Sequence, residues 1–96
     1  MSKNFYKTDH FIYRQWDRAV EDKVIDAIIC KVKPIKAKTT IIVSPKFLKS
    51  LNRKIFKKSH LIIVAKGKSL LTLFFVNDLY AYLKSQKDNI NPRIVA

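Results

Sequence analysis

Residues 60–78 read HLIIVAKGKSLLTLFFVND, two apolar runs that meet at Lys66–Gly67, and Gly67 is the only glycine in the chain. Runs this short, rich in Ile, Val, Leu and Phe and joined through a glycine, form a β-hairpin. Along the second run Leu71, Leu73 and Phe75 alternate with Leu70, Thr72, Phe74 and Val76, so both faces are apolar and both should be packed, with Thr72 the polar exception.

Upstream, TTIIVS (39–44) is β-branched and strand-like, and Pro45 ends it. PKFLKSLN (45–52) starts with proline at a tolerated first-turn position and spaces Phe47, Leu48 and Leu51 as a two-turn helix. RKIFKKS (53–59) reads as a basic loop before the hairpin. Downstream, Asn77 or Asp78 can cap a helix through LYAYLKSQ, and 88–96 reads as a tail or short edge segment.

Two helices precede the strands. Thr8 or Asp9 can cap the first, in which Ile12, Trp16 and Ala19 share one face while His10, Arg14, Asp17 and Arg18 share the opposite one. This places Trp16 and Ile12 in the core. Glu21 or Asp22 can cap the second, with Val24, Ile25, Ile28 and Val32 as its apolar stripe, and Pro34 stops it. The expectation is an α+β fold in which N-terminal helices pack on a small antiparallel β-sheet, leaving the other sheet face or its rim to the basic groups.

The chain has 96 residues, which form one small domain, 1–96, with a core over about 8–87. No stretch approaches the roughly 18 apolar residues of a membrane span and MSKNFYKTDH lacks a signal-like apolar segment, so the expected location is cytoplasmic, with no membrane partner. Cys30 is the single cysteine, which excludes an internal disulfide and a cysteine zinc site and reads as a core residue.

Twenty Lys and Arg against seven Asp and Glu give a net charge of +13, and residues 27–77 contain no acid at all. An uninterrupted one-signed block attracts polyanions and repels itself, so nucleic acid is the natural partner. Lys46, Lys49, Arg53, Lys54, Lys57, Lys58, Lys66 and Lys68 are the expected phosphate contacts. A surface simply decorated with lysine is the alternative.

His10, Arg14 and Arg18 recur at four-residue spacing. As a solvated helix face they need no function. As a site, two guanidiniums one turn apart fork onto phosphate oxygens while an imidazole moves a proton. RNA carries its own nucleophile in the 2′-hydroxyl, so cleavage by such a site requires no metal or cofactor, and the sequence offers no carboxylate cluster, paired histidines or Gly-rich phosphate loop. His60, at the start of the hairpin, is either a polar strand-end residue or the general acid for the leaving 5′-oxygen. Tyr13, Tyr80 and Tyr82 read as packing or rim residues rather than base-stacking platforms.

The string His10-x-x-x-Arg14-x-x-x-Arg18-x-Val20, then DKVIDAII, a strand and the hairpin LIIVAKGKSLLTLFFV, resembles small domains of the barnase, EndoU, colicin and RelE superfamily, mostly metal-independent RNases found as bacterial toxins. The resemblance implies an antiparallel sheet on N-terminal helices and an active surface of scattered His, Arg, Lys, Tyr or Thr. His10, Arg14 and Arg18 match its helix motif and Thr72 the threonine of its last strand, whereas the glycine often found after the second arginine is Ala19 here. The function expected is RNA binding with endoribonuclease activity of toxin type, on tRNA or ribosome-associated mRNA, and with an acidic antitoxin or immunity protein as partner. A non-catalytic nucleic-acid- or ribosome-binding module, or a basic protein held by an acidic partner, is the alternative.

Overall fold

The computed structural model describes residues 5–51, 58–86 and 91–96. In chain order the elements are β1 (Tyr6–Lys7), α1 (Asp9–Asp17), α2 (Asp22–Ile29), β2 (Lys38–Val43), α3 (Pro45–Leu51), β3 (His60–Lys66), β4 (Ser69–Val76), α4 (Leu79–Ser85) and β5 (Pro92–Val95). The strands form one sheet in the order β1-β4-β3-β2-β5. The fold is α+β, as the element pattern implies. The sheet, however, is mixed: β2, β3 and β4 run antiparallel, while β1 lies parallel to β4 and β5 parallel to β2. Both parallel strands are short flanking segments held by an edge, too short to carry their own alternation signal.

The hairpin turns through Gly67 and Lys68. Gly67 has φ +59° and a side chain there would meet no neighbouring atom, so glycine is required for its backbone and not for space. Positive φ at the first central residue alone is the type II′ arrangement that suits a twisted hairpin. Val64 pairs with Thr72 but Ala65 pairs with Leu70, so Leu71 is the extra residue of a β-bulge. The bulge resolves the apolar run of β4. Leu70 joins Leu73 and Phe75 on the helical side, and Leu71 joins Phe74 and Val76 on the other.

The larger core lies between the helical face and α1–α3, around Phe11, Ile25, Ile28, Leu48, Leu61 and Ile63. Val24, Ile25, Ile28 and Val32 are buried as their spacing implies. On the second face Ile42, Ile62 and Val64 meet Leu79 and Tyr82 of α4, with the Phe74 and Tyr82 rings edge-on at 5.6 Å. Burial there lifts the Tyr82 phenol above its ordinary value. Both faces of the hairpin are thus packed.

α1 departs from expectation. Its inward line is Phe11, fully buried, and Gln15, whereas Ile12 is 47% and Trp16 88% exposed. The reason is a polar bridge. Gln15 Nε2 donates to the Val20 carbonyl (2.9 Å) and to Asp22 Oδ1 (2.7 Å), so its burial leaves no orphaned amide and it ties α1 to α2. Lys7, by its hydrogen bond, and then Gln15 hold the Asp22 carboxyl below its ordinary value. Thr8 caps the helix, accepting from Phe11 N–H (3.2 Å) and donating to the Leu70 carbonyl (2.8 Å) of β4. At the other end Ala19 N–H donates to the Trp16 carbonyl and Val20 N–H to the Gln15 carbonyl, a Schellman closure with Ala19 at φ 53°.

Cys30 is exposed rather than buried, because it follows the last turn of α2 while Val32 takes the next inward position. The C-terminal segment expected as tail or edge is the edge strand β5.

Candidate nucleic-acid interface

Directly paired residues on neighbouring strands point to the same side of a sheet. Tyr6 pairs with Ser69, Ser69 with Lys66, and Lys66 with Lys38. Their chain neighbours Phe5, Leu70, Ala65 and Thr39 are buried, the first three in the helical-side core, so this four-residue row lies on the opposite face. It crosses β1, β4, β3 and β2 at the hairpin end. Lys38 and Lys66 therefore stand directly opposite one another, both exposed, a juxtaposition of like charge that destabilises a sheet unless an anion lies between them. Lys68 adds an exposed side chain in the turn, and its carbonyl accepts the Tyr6 N–H at 2.8 Å. Among the described residues the ion pairs are Lys7–Asp22, Arg18–Asp17 and Lys23–Glu21, and none involves these lysines. Thr72, half-buried opposite Val64, lies on the same face, in the next row.

α1 begins at this end. Thr8 donates through both its N–H and its hydroxyl to the Leu70 carbonyl, which sets His10, exposed in the first turn, beside the start of β4. Ile12 and Trp16 line a cleft with Val20, Glu21 and Asp22 at the α2 junction. At about 100° per residue His10 and Arg14 fall on the other flank of the Phe11 line, away from α2. Arg14 is half-buried, and Arg18, the C-cap, is exposed with its guanidinium 4.0 Å from Asp17. His10 and Arg14 thus share a helix flank whose start lies at the hairpin end, while Arg18 closes the helix about 12 Å along the axis from His10.

The remaining candidates lie elsewhere. His60 pairs with Val76 at the far end of β3, five residues or about 16 Å from Ala65, the partner of Leu70. It shares a face with Thr72 but stands about 13 Å from it along the strand, with Ile62 and Phe74 between. His60 is half-buried, and its Nδ1 has no hydrogen-bond partner among the described residues. A His10–His60 acid–base pair is therefore not assembled. Lys46 and Lys49 are exposed on α3, which follows the far end of β2 and packs Leu48 into the helical-side core. Lys58 is exposed beside that end, and Arg53, Lys54 and Lys57 lie outside the described residues. The acid-free block is one run in sequence and two separate ends in space.

Two features escaped the sequence. Tyr6 and Lys38 belong to the row, but only strand register reveals it. Trp16, Tyr13 (70% exposed) and Ile12 form an exposed patch on α1 beside a cleft of about 440 Å³. The buried polar Gln15 was the signal for that rotation, since a helix whose inward line includes an amide has a different apolar face. Among the described residues no three His, Cys, Asp or Glu side chains gather as a metal site, and no helix is long and apolar enough to cross a membrane.

Comparison with protein-family models, with curated proteins and with solved structures finds no match to this chain.

Proposed function

We propose that the chain binds RNA and cleaves it as a metal-independent endoribonuclease of the toxin type its sequence resembles. The observation that carries this reading is that the helix packed on β4, with exposed His10 in its first turn, starts at the same end of the sheet as Lys38 and Lys66 of the opposite face and Lys68 of the turn, none paired with a described carboxylate. The lysines supply sequence-independent attraction for phosphates. His10 takes the proton of the 2′-hydroxyl as its oxygen attacks the adjacent phosphorus. The bond to the 5′-oxygen breaks, that oxygen takes a proton from water, and a 2′,3′-cyclic phosphate remains. Arg14, on the same flank, and Arg18, at the helix C-cap, offset the charge that develops on the phosphoryl oxygens. Thr72 contributes a hydroxyl from the neighbouring row. An acidic antitoxin or immunity protein would engage the same lysines and block the site.

The separation of His60 from His10 favours a second reading, a non-catalytic RNA- or ribosome-binding module. An RNA digest in EDTA separates the two. Cleavage to cyclic-phosphate ends, reduced roughly ten- to a thousandfold in Arg14→Ala and lost in folded His10→Ala, supports the nuclease. Binding without cleavage by the wild type rejects it, and so does a His10→Ala protein that cleaves at the wild-type rate.

A further inference from the structure

The row Tyr6–Ser69–Lys66–Lys38 has a chemical order as well as a charge. An exposed aromatic ring stands at one end, a hydroxyl next, and two ammonium groups follow on consecutive strands. Strands lie about 4.8 Å apart, so the row runs roughly 14 Å across the sheet. Tyr6 is 61% exposed although its strand is pinned, by Tyr6 N–H to the Lys68 carbonyl and by Phe5 in the core, so the ring is presented on a fixed backbone. Resting on the RNA-binding reading above, we infer that the ligand of this face is single-stranded RNA laid across the strands, with an unpaired base stacked on Tyr6 and successive phosphates on Lys66 and Lys38.

The physical grounds separate this from duplex binding. A base inside a duplex is already stacked on its neighbours and offers no free face to a tyrosine, whereas a splayed single strand does. Sheet faces with exposed aromatics accept such bases, and lysines beside them track the backbone. Ser69, between ring and ammonium, places its hydroxyl where ribose or phosphate oxygen passes. Lys68, in the turn, extends the positive end without belonging to the row. The opposed Lys38 and Lys66 ammonium groups repel one another, and a phosphate chain crossing both strands relieves that repulsion.

The experiment measures the affinity of the intact protein for a fluorescent single-stranded 2′-O-methyl RNA, which lacks the attacking hydroxyl, and for its blunt duplex. The wild type should prefer the single strand. Tyr6→Ala should weaken single-strand binding roughly five- to a hundredfold and leave duplex binding unchanged, while Tyr6→Phe, which keeps the ring, should restore it. Lys38→Gln and Lys66→Gln should each flatten the log–log salt dependence by about 0.7. Circular dichroism of each variant reports folding independently. Equal affinity for both forms, or unchanged single-strand affinity in folded Tyr6→Ala, overturns the assignment while leaving RNA binding intact. Should Tyr6→Ala fail to fold, unchanged salt slopes in the two lysine variants overturn it. No binding of either form by the wild type overturns the RNA-binding reading itself.

Discussion

Phe11 and Trp16 exchange the roles that size alone would assign them. Phe11 is fully buried and Trp16 almost wholly exposed, because α1 turns the Phe11–Gln15 line toward the sheet. Phe11→Ala should therefore cost about 3 to 5 kcal/mol, the cavity penalty of a large aromatic. Trp16→Ala should stay within about 0.5 kcal/mol of the wild type, as surface substitutions do. Urea denaturation of both variants checks this, and a Trp16→Ala loss comparable to that of Phe11→Ala would put the tryptophan back in the core. At the same scale, Gln15 shows how a polar side chain enters an apolar interior. Its two donors reach Val20 O and Asp22 Oδ1, so nothing is left unpaired.

The C-terminus of α1 is the element most open to improvement. Ala19 occupies the left-handed position of a Schellman closure, at φ 53°, where an L side chain meets the backbone and glycine does not. Ala19→Gly should stabilise the protein by about 1 kcal/mol, seen as a higher denaturation midpoint at unchanged slope. A loss of stability would mean that the greater freedom of glycine in the unfolded chain outweighs the relieved strain. The β4 bulge is the other decisive local device. By inserting Leu71 it lets Leu70 and Leu73 serve the same core and keeps Thr72 on the face that carries the lysine row.

Across the whole molecule, the described acids are borne by α1, α2 with its N-cap, and the cap of α4, and Asp22 and Asp26 line a pocket with Tyr6 and Leu70, while the opposed Lys38 and Lys66 pair with none of them. This predicts opposite effects on stability and binding. Replacing Lys38 and Lys66 together with Gln should stabilise the free protein by about 0.2 to 1 kcal/mol, since directly opposed like charges repel. The same variant should bind RNA more weakly and with a shallower salt dependence. Thermal melting at low salt alongside RNA titration reads both, and a variant no more stable than the wild type would show that the two lysines do not repel one another.

The sequence by itself determined the four helices and the three antiparallel strands, but not β1. The α2 stripe, the Pro45 start of α3, the Gly67 turn and the apolar hairpin follow from periodicity, capping and backbone freedom, all properties of a few adjacent residues. The charge of the candidate site was equally legible, because an acid-free run needs only counting. The tertiary structure alone decided which of those charges meet. Strand register placed Lys66 opposite Lys38 and Tyr6 beside Ser69, split the basic block between two ends, and carried His60 away from His10. It also decided the rotation of α1. Helical spacing permits either the Phe11 or the Ile12–Trp16 side to face inward, and hydrogen bonds from the Thr8 cap to Leu70 of β4 and from Gln15 to Asp22 of α2, made between separate parts of the fold, select the first.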